Sequence, residues 1–222
     1  MTLLIKEDNA LDSWCSILRL IKTQGENDRS ILEIMNLVVE ISNPGKSLVK
    51  AKRICKGIIG SNYFNRTDLL YRHDKDLSWK YSYKKKLTNW DGRYNQLADI
   101  SRIMKKSPHS KALCATILHP KDLKRAYGRS SSVPCPIAID FKYRQKQIYF
   151  NVFFRSQDVL NLFIPDLWHL LKLMRETMQK ANLKEHTKEI ITFYLASAFI
   201  KVSDYKKINM ILKLCPKCAQ LK

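Results

Sequence analysis

The chain has 222 residues, 45% of them hydrophobic and 10% aromatic. That is enough for a sizeable core without disulfide or metal staples, which excludes a disordered chain and a mini-protein scaffold. Forty Lys and Arg against twenty Asp and Glu give a formal net charge of +20, which suits polyanions or phosphorylated small molecules as partners and equally a well-solvated surface. Six Gly and seven Pro exclude a fibrous or linker-repeat chain. No window reaches the ~18 uninterrupted apolar residues of a membrane span. The first residues, MTLLIKEDNALDSW, have no basic start, apolar stretch and cleavage site, and we expect a soluble cytoplasmic protein with no membrane partner, folded as a single domain over 1–222. With no secretory signal, the cysteines at 15, 55, 114, 135, 215 and 218 are expected as free thiols.

In chain order, mixed helical and strand spacing reads as a helix over 11–22, a strand over 30–42 and a turn at NPGKS, 43–47. A basic amphipathic helix follows over 48–60, ended by Gly60. The polar, aromatic and Lys-rich stretch 61–95 reads as a surface or active-site loop region, and NQLADISRIMKK as a helix over 95–106. An apolar run at 111–118 predicts a strand, and the segment HPKDLKRAYGRSSS after it a basic loop. Within that loop Tyr127 between Arg125 and Arg129 suits phosphate or single-stranded nucleic acid, or plain solvation. IAIDFKY at 137–143 and QIYFNVFF at 147–154 form a hairpin across RQK. A helix over 166–182 and a buried strand over 190–200 complete the pattern. Helices interleave with strands, so the class is mixed α and β, and we expect an α+β domain.

Chemistry concentrates at two places. Cys135, in SSSVPCPIAID, stands at the entry to a strand behind Pro134. Alone it reads as a buried structural thiol. FFRSQD at 153–158 puts an Arg, a hydroxyl and a carboxylate at a strand end, where the Arg can grip phosphate bidentately and favour a nearby thiolate. CPKC at 215–218 offers half a zinc site, but no second pair stands at ligand spacing; a tail with two free thiols is expected, and no metal. His169 is expected at the surface, and Trp79, Trp90 and Trp168 in core or interface, or stacked on a ligand.

These residues resemble the thymidylate synthases and their relatives the pyrimidine-nucleotide hydroxymethylases, above all the short archaeal-type members. That family has Pro-Cys, a strand hairpin, Arg-Ser-x-Asp and then an Asn that reads the base. Here Pro134-Cys135 is followed by Arg155-Ser156-Gln157-Asp158 twenty residues on, and by Asp166 eleven residues after Arg155. YSYKKKL at 81–87 is similar to the family's Thr-Tyr-Gly segment, and residues 91–114 to its Asp-Gln-Leu helix and the Pro-x-Ser-Arg-Arg that follows. The resemblance covers about residues 80–212.

The resemblance implies a large twisted mixed sheet flanked by helices, dimerising through the sheet. It implies Cys135 as the nucleophile that adds to C6 of a pyrimidine nucleoside monophosphate, and Tyr83 in a proton network around it. Arg155 and Ser156 would hold the phosphate, with Arg155 lowering the thiol pKa, and Asp158 would hold the pterin of 5,10-methylenetetrahydrofolate or a relative. An arginine pair reaching the phosphate from the second subunit is matched by Lys111 and Ala112, which loses the bidentate fork. Asp166 in place of Asn suits the amino edge of cytosine, as in cytidylate hydroxymethylases, so (d)CMP hydroxymethylation is the expected reaction and dUMP methylation the alternative. Otherwise Asp166 only caps a helix starting at Leu167.

Some family residues have no match. Phe199 and Lys201 replace a sugar-reading His and Tyr, no carboxylate lies between Glu40 and Asp68 to match the family's proton-relaying Glu, and Pro165 precedes Asp166. A family member that has lost turnover and binds nucleotide or nucleic acid is the reading of another class.

Overall fold

A computed structural model of the chain describes residues 2–71, 82–126, 133–183 and 188–215. The described part is α+β. Its strands are β1 (Leu3–Asn9), β2 (Glu26–Asp28), β3 (Ile31–Asn43), β4 (Cys114–Thr116), β5 (Pro136–Arg144), β6 (Gln147–Phe154), β7 (Gln157–Asp158) and β8 (Lys188–Lys201). Its helices are α1 (Ala10–Gln24), α2 (Leu48–Ile59), α3 (Asn62–Tyr71), α4 (Tyr83–Thr88), α5 (Gln96–Lys106), α6 (Pro120–Ala126), α7 (Phe163–Lys180) and α8 (Tyr205–Lys213). The strands form one mixed sheet in the order β1-β3-β8-β6-β5-β4, with β2 added to β3 and β7 to β8. β8 runs antiparallel to β3 and parallel to β6.

Strand alternation makes the sheet two-faced. Leu37, Val39 and Ile41 of β3, Ile148, Phe150 and Val152 of β6, and Phe193 and Leu195 of β8 are buried in one core with Trp14, Ile17 and Leu18 of α1 and Leu167, Leu170 and Met174 of α7. The alternate positions Val38, Phe153 and Tyr194 stay partly exposed, with Phe153 and Tyr194 stacked at 4.7 Å. The β5–β6 hairpin turns through Gln145 and Lys146, both at positive φ (49° and 58°), as the twist of a two-residue hairpin requires. No helix among the described residues is long and apolar enough to cross a membrane.

The structure corrects several expectations. Among its described residues the region 61–95 holds two helices; residues 72–81, Trp79 among them, lie outside the described part. Phe64, Thr67 and Tyr71 bury one face of α3 at helical spacing, and Ser82 caps α4 by accepting from the Lys85 N–H at 3.1 Å. The basic loop after residue 118 begins as α6, with Pro120 in its first turn and Asp122 accepting from the His119 N–H at 2.9 Å, a helix start written in His-Pro-x-Asp; Tyr127 and Arg129 lie outside the described residues. The run 111–118 is strand only over Cys114–Thr116, because the N–H groups of Ile117 and Leu118 both turn to the Ile137 carbonyl. β1, β2 and α8, of seven, three and nine residues, lie outside the expected elements. Cys15 and Cys215 form a disulfide, which overturns the expectation of free thiols for this pair and for half of the CPKC tail; residues 216–222 lie outside the described part. Cys55, Cys114 and Cys135 are free.

Lys86 of α4 and Asp122 of α6 form an ion pair with both side chains fully buried. Removing Lys86 takes the charged partner from a fully buried carboxylate. Lys86→Met is expected to cost about 3–5 kcal/mol of unfolding free energy, measured by urea titration; a loss near zero would mean that water reaches the pair.

Candidate active site

Cys135 sits at a bend between two prolines, directly before β5. Arg155, at the end of β6, ties this bend down. Its backbone N–H donates to the Cys135 carbonyl at 3.0 Å, its Nε to the Pro134 carbonyl at 2.9 Å and an Nη to the Val133 carbonyl at 2.8 Å. A further Nη donates to Ser156 Oγ at 3.3 Å, and that hydroxyl lies 4.0 Å from Cys135 Sγ. Two of the five guanidinium N–H groups thus remain uncommitted on an exposed side chain, which can take an anion.

Asp166 is near enough for its charge to act on the thiol. α7 begins at Phe163, not at Leu167, and Leu162 is its cap. Pro165 fits the first turn, where a missing N–H costs nothing. Asp166 is therefore inside the helix, its N–H donating to the Leu162 carbonyl at 2.8 Å, so its carboxyl is not a cap. The carboxyl is buried and accepts from Tyr71 Oη at 3.3 Å and from Gln157 Nε2 at 3.0 Å. Burial pushes its pKa up to about 7, against these two hydrogen bonds.

The remaining groups sort by distance from this centre. Tyr83, the first residue of α4, is buried; Tyr71 meets its ring edge-on at 5.2 Å, and the Cys135 backbone hydrogen-bonds its hydroxyl. Burial raises the pKa of both phenols. Asp158, on β7 beside Phe199 of β8, is buried and accepts from the Asn161 N–H at 3.2 Å and from its Nδ2 at 2.9 and 3.1 Å. Burial again raises its pKa, with Asn161 and the Lys201 charge opposing. Lys111 is exposed at the opposite end of the β4–β5 ladder from Cys135, so within one chain it is not part of the group. His169, expected at the surface, is stacked on Tyr71 at 5.1 Å, and the face of Trp168 is covered by the Lys52 ammonium at 3.5 Å.

The thiol itself departs from expectation. Arg155 and Ser156 do favour the thiolate, but burial first, and the Asp166 charge second, raise the Cys135 pKa overall. Thiolate and ionised Asp166 oppose each other across the site. A neutral Asp166 relieves the thiol, which couples the two titrations.

No family model matches the chain. It is similar to proteins named "Putative thymidylate synthase" from three archaea. The protein of Methanosarcina mazei is 27% identical over 95% of this chain and 94% of its own length. That of Methanococcoides burtonii is 28% identical over the same shares, and that of Methanocaldococcus jannaschii 27% over 84% and 82%. The likeness supports a thymidylate synthase-like family.

The α+β architecture, with its large mixed sheet flanked by helices, is compatible with a thymidylate synthase-like fold. Sequence reasoning about such a chain missed Tyr71 and Gln157. Tyr71 was hidden in a region read as loop, although the helical spacing of Phe64, Thr67 and Tyr71 carried the signal. Gln157 was passed over as the variable position of Arg-Ser-x-Asp. Because the Asp166 charge raises the Cys135 pKa, Asp166→Asn is expected to move the pH profile of Cys135 alkylation to lower pH. Iodoacetamide labelling with mass-spectrometric mapping of Cys135 reads the shift, with exposed Cys114 as internal reference.

Proposed function

We propose that the chain transfers a one-carbon unit from a methylene-tetrahydrofolate-type donor to C5 of a pyrimidine nucleoside 5′-monophosphate, with (d)CMP hydroxymethylation as the favoured reaction. The observation that carries this reading is the convergence of the Cys135 thiol, the part-free Arg155 guanidinium and the buried, non-capping Asp166. In this reading Arg155 and Ser156 hold the phosphate. Cys135 Sγ adds to C6 of the ring, and the C5=C6 electron pair becomes nucleophilic density at C5. After substitution the C5 proton leaves, the S–C6 bond breaks and the thiolate is restored. Tyr83 orders the proton network beside the Cys135 backbone.

For the cofactor, the buried Asp158 carboxylate and the unpartnered, buried Asn161 Oδ1 beside it fit the amino and ring N–H donors of a pterin. A bound donor of this type supplies a carbon at the oxidation level of formaldehyde. For hydroxymethylation, water completes the product.

Methylation of uridylate is the second reading, favoured by the raised Asp166 pKa. A neutral carboxyl presents one donor and one acceptor, which complements the carbonyl and N–H of uracil as well as the cytosine edge. Tritium release from C5 of CMP, dCMP, UMP and dUMP, with and without methylenetetrahydrofolate, tests both. Release from a cytidylate that Cys135→Ser abolishes, while nucleotide binding persists, is the expected result. Release confined to uridylates selects methylation, and release indifferent to Cys135→Ser overturns thiol catalysis.

The partly exposed face of the sheet supports a homodimer in the same reading. Val38, Ile137, Phe153 and Tyr194 line an apolar groove of about 300 Å³ there, the kind of patch that a partner covers. A second subunit would also be the one to bring Lys111 to the phosphate. Sedimentation is expected to show a dimer that Tyr194→Lys dissociates; a monomeric wild-type protein at micromolar concentration would refute this.

A further inference from the structure

The hydrogen-bond inventory around Asp166 is left one acceptor over. Gln157 is 1% exposed, and its amide donates through Nε2 to Asp166 Oδ2. Its Oε1 is buried and has no hydrogen-bond partner. Nε2 and Oε1 belong to one planar amide, so the open acceptor sits beside the Asp166 carboxyl, on the element that directly follows Arg155 and Ser156. With Asp166 ionised, the hydrogen bond also sets the orientation: the reversed amide would put oxygen against a carboxylate. A buried carbonyl without a donor is costly unless a ligand or water supplies one.

We propose that Gln157 is a specificity-determining residue: with Asp166 it forms a pair of acceptors that reads the exocyclic amino group of a cytosine nucleotide. This rests on the proposed function, since it places a pyrimidine against Cys135, and it deepens that reading by naming the base and the residue that selects it. The amino group carries two N–H donors in the plane of the ring, one on the N3 side and one on the C5 side. Asp166 accepts one and Gln157 Oε1 the other. The uracil oxygen at the same place brings only lone pairs, which would face two acceptors.

Titration calorimetry with CMP, dCMP, UMP and dUMP tests the pair without requiring turnover. Gln157→Met keeps an unbranched side chain of similar volume and removes the acceptor. It is expected to lower the cytidylate-over-uridylate affinity ratio by about tenfold or more. A folded variant with an unchanged ratio overturns the proposal while leaving the proposed function standing, whereas wild-type protein that binds none of the four removes both. To separate direct contact from mere support of Asp166, the substitution is repeated in an Asp166→Ala background. A further fall of the ratio there supports the contact; no further fall shows that Gln157 acts only through Asp166 and refutes it. If Gln157→Met fails to fold, the wild-type protein decides with base-modified ligands. Two acceptors predict that N4-methyl-CMP binds more weakly than CMP and N4,N4-dimethyl-CMP more weakly again. A monomethyl ligand bound as tightly as CMP would overturn the pair.

Discussion

The long strand Lys188–Lys201 joins the two halves of the sheet. It is laddered along β3 on one edge and along β6 and then β7 on the other, so few of its backbone groups need water. Its parallel partner β6 ends at Phe154, and the chain then steps through Arg155 and Ser156 before β7 resumes pairing farther along β8. That step is where chemistry gathers. A regular ladder would have consumed the backbone groups and alternated the side chains; the gap lets Arg155 reach back to the Cys135 bend while Gln157 and Asp158 are pulled into the sheet.

Burial dominates the electrostatics of this region despite a chain with a net charge of +20. Asp158 and Asp166 both have raised pKa values, as do Tyr71, Tyr83 and Cys135, and desolvation is the largest cause in each case. Much of the Arg155 side chain's donor capacity goes into carbonyls of the Cys135 bend. Among the described residues the site is a desolvated cluster of Cys135, Tyr71, Tyr83, Asp158 and Asp166, with the exposed Arg155 guanidinium beside it. Such a place suits a reaction in which a thiolate forms only when a substrate is in position.

Tyr71 shows how one side chain joins separate regions. It ends α3, its hydroxyl is on Asp166 of α7, its ring meets Tyr83 of α4 and the opposite contact is with His169. The chain has no carboxylate between Glu40 and Asp68, and a neutral phenol occupies the space beside the buried Asp166. A second carboxylate there would have raised the pKa of Asp166 further.

Much was legible in the amino-acid order because it rests on local rules. Alternation in 137–143 and 147–154 marks a hairpin, a helical stripe marks α5 and α7, and the spacing from Cys135 through Arg155 to Asp166 carries the resemblance on which the functional reading stands. Less was legible where the local signal is short or polar: α3 and α6 are small helices, α6 in a basic stretch, and β1 is only seven residues long. A mixed α and β class, the main core elements and the residue types able to do thiol and phosphate chemistry follow from periodicity and spacing along the chain. That Asp166 is buried rather than capping, that Gln157 and Tyr71 are its partners and that Cys15 meets Cys215 emerge with the folded chain. Those facts depend on which distant segments share one desolvated space, and no spacing along the chain encodes that.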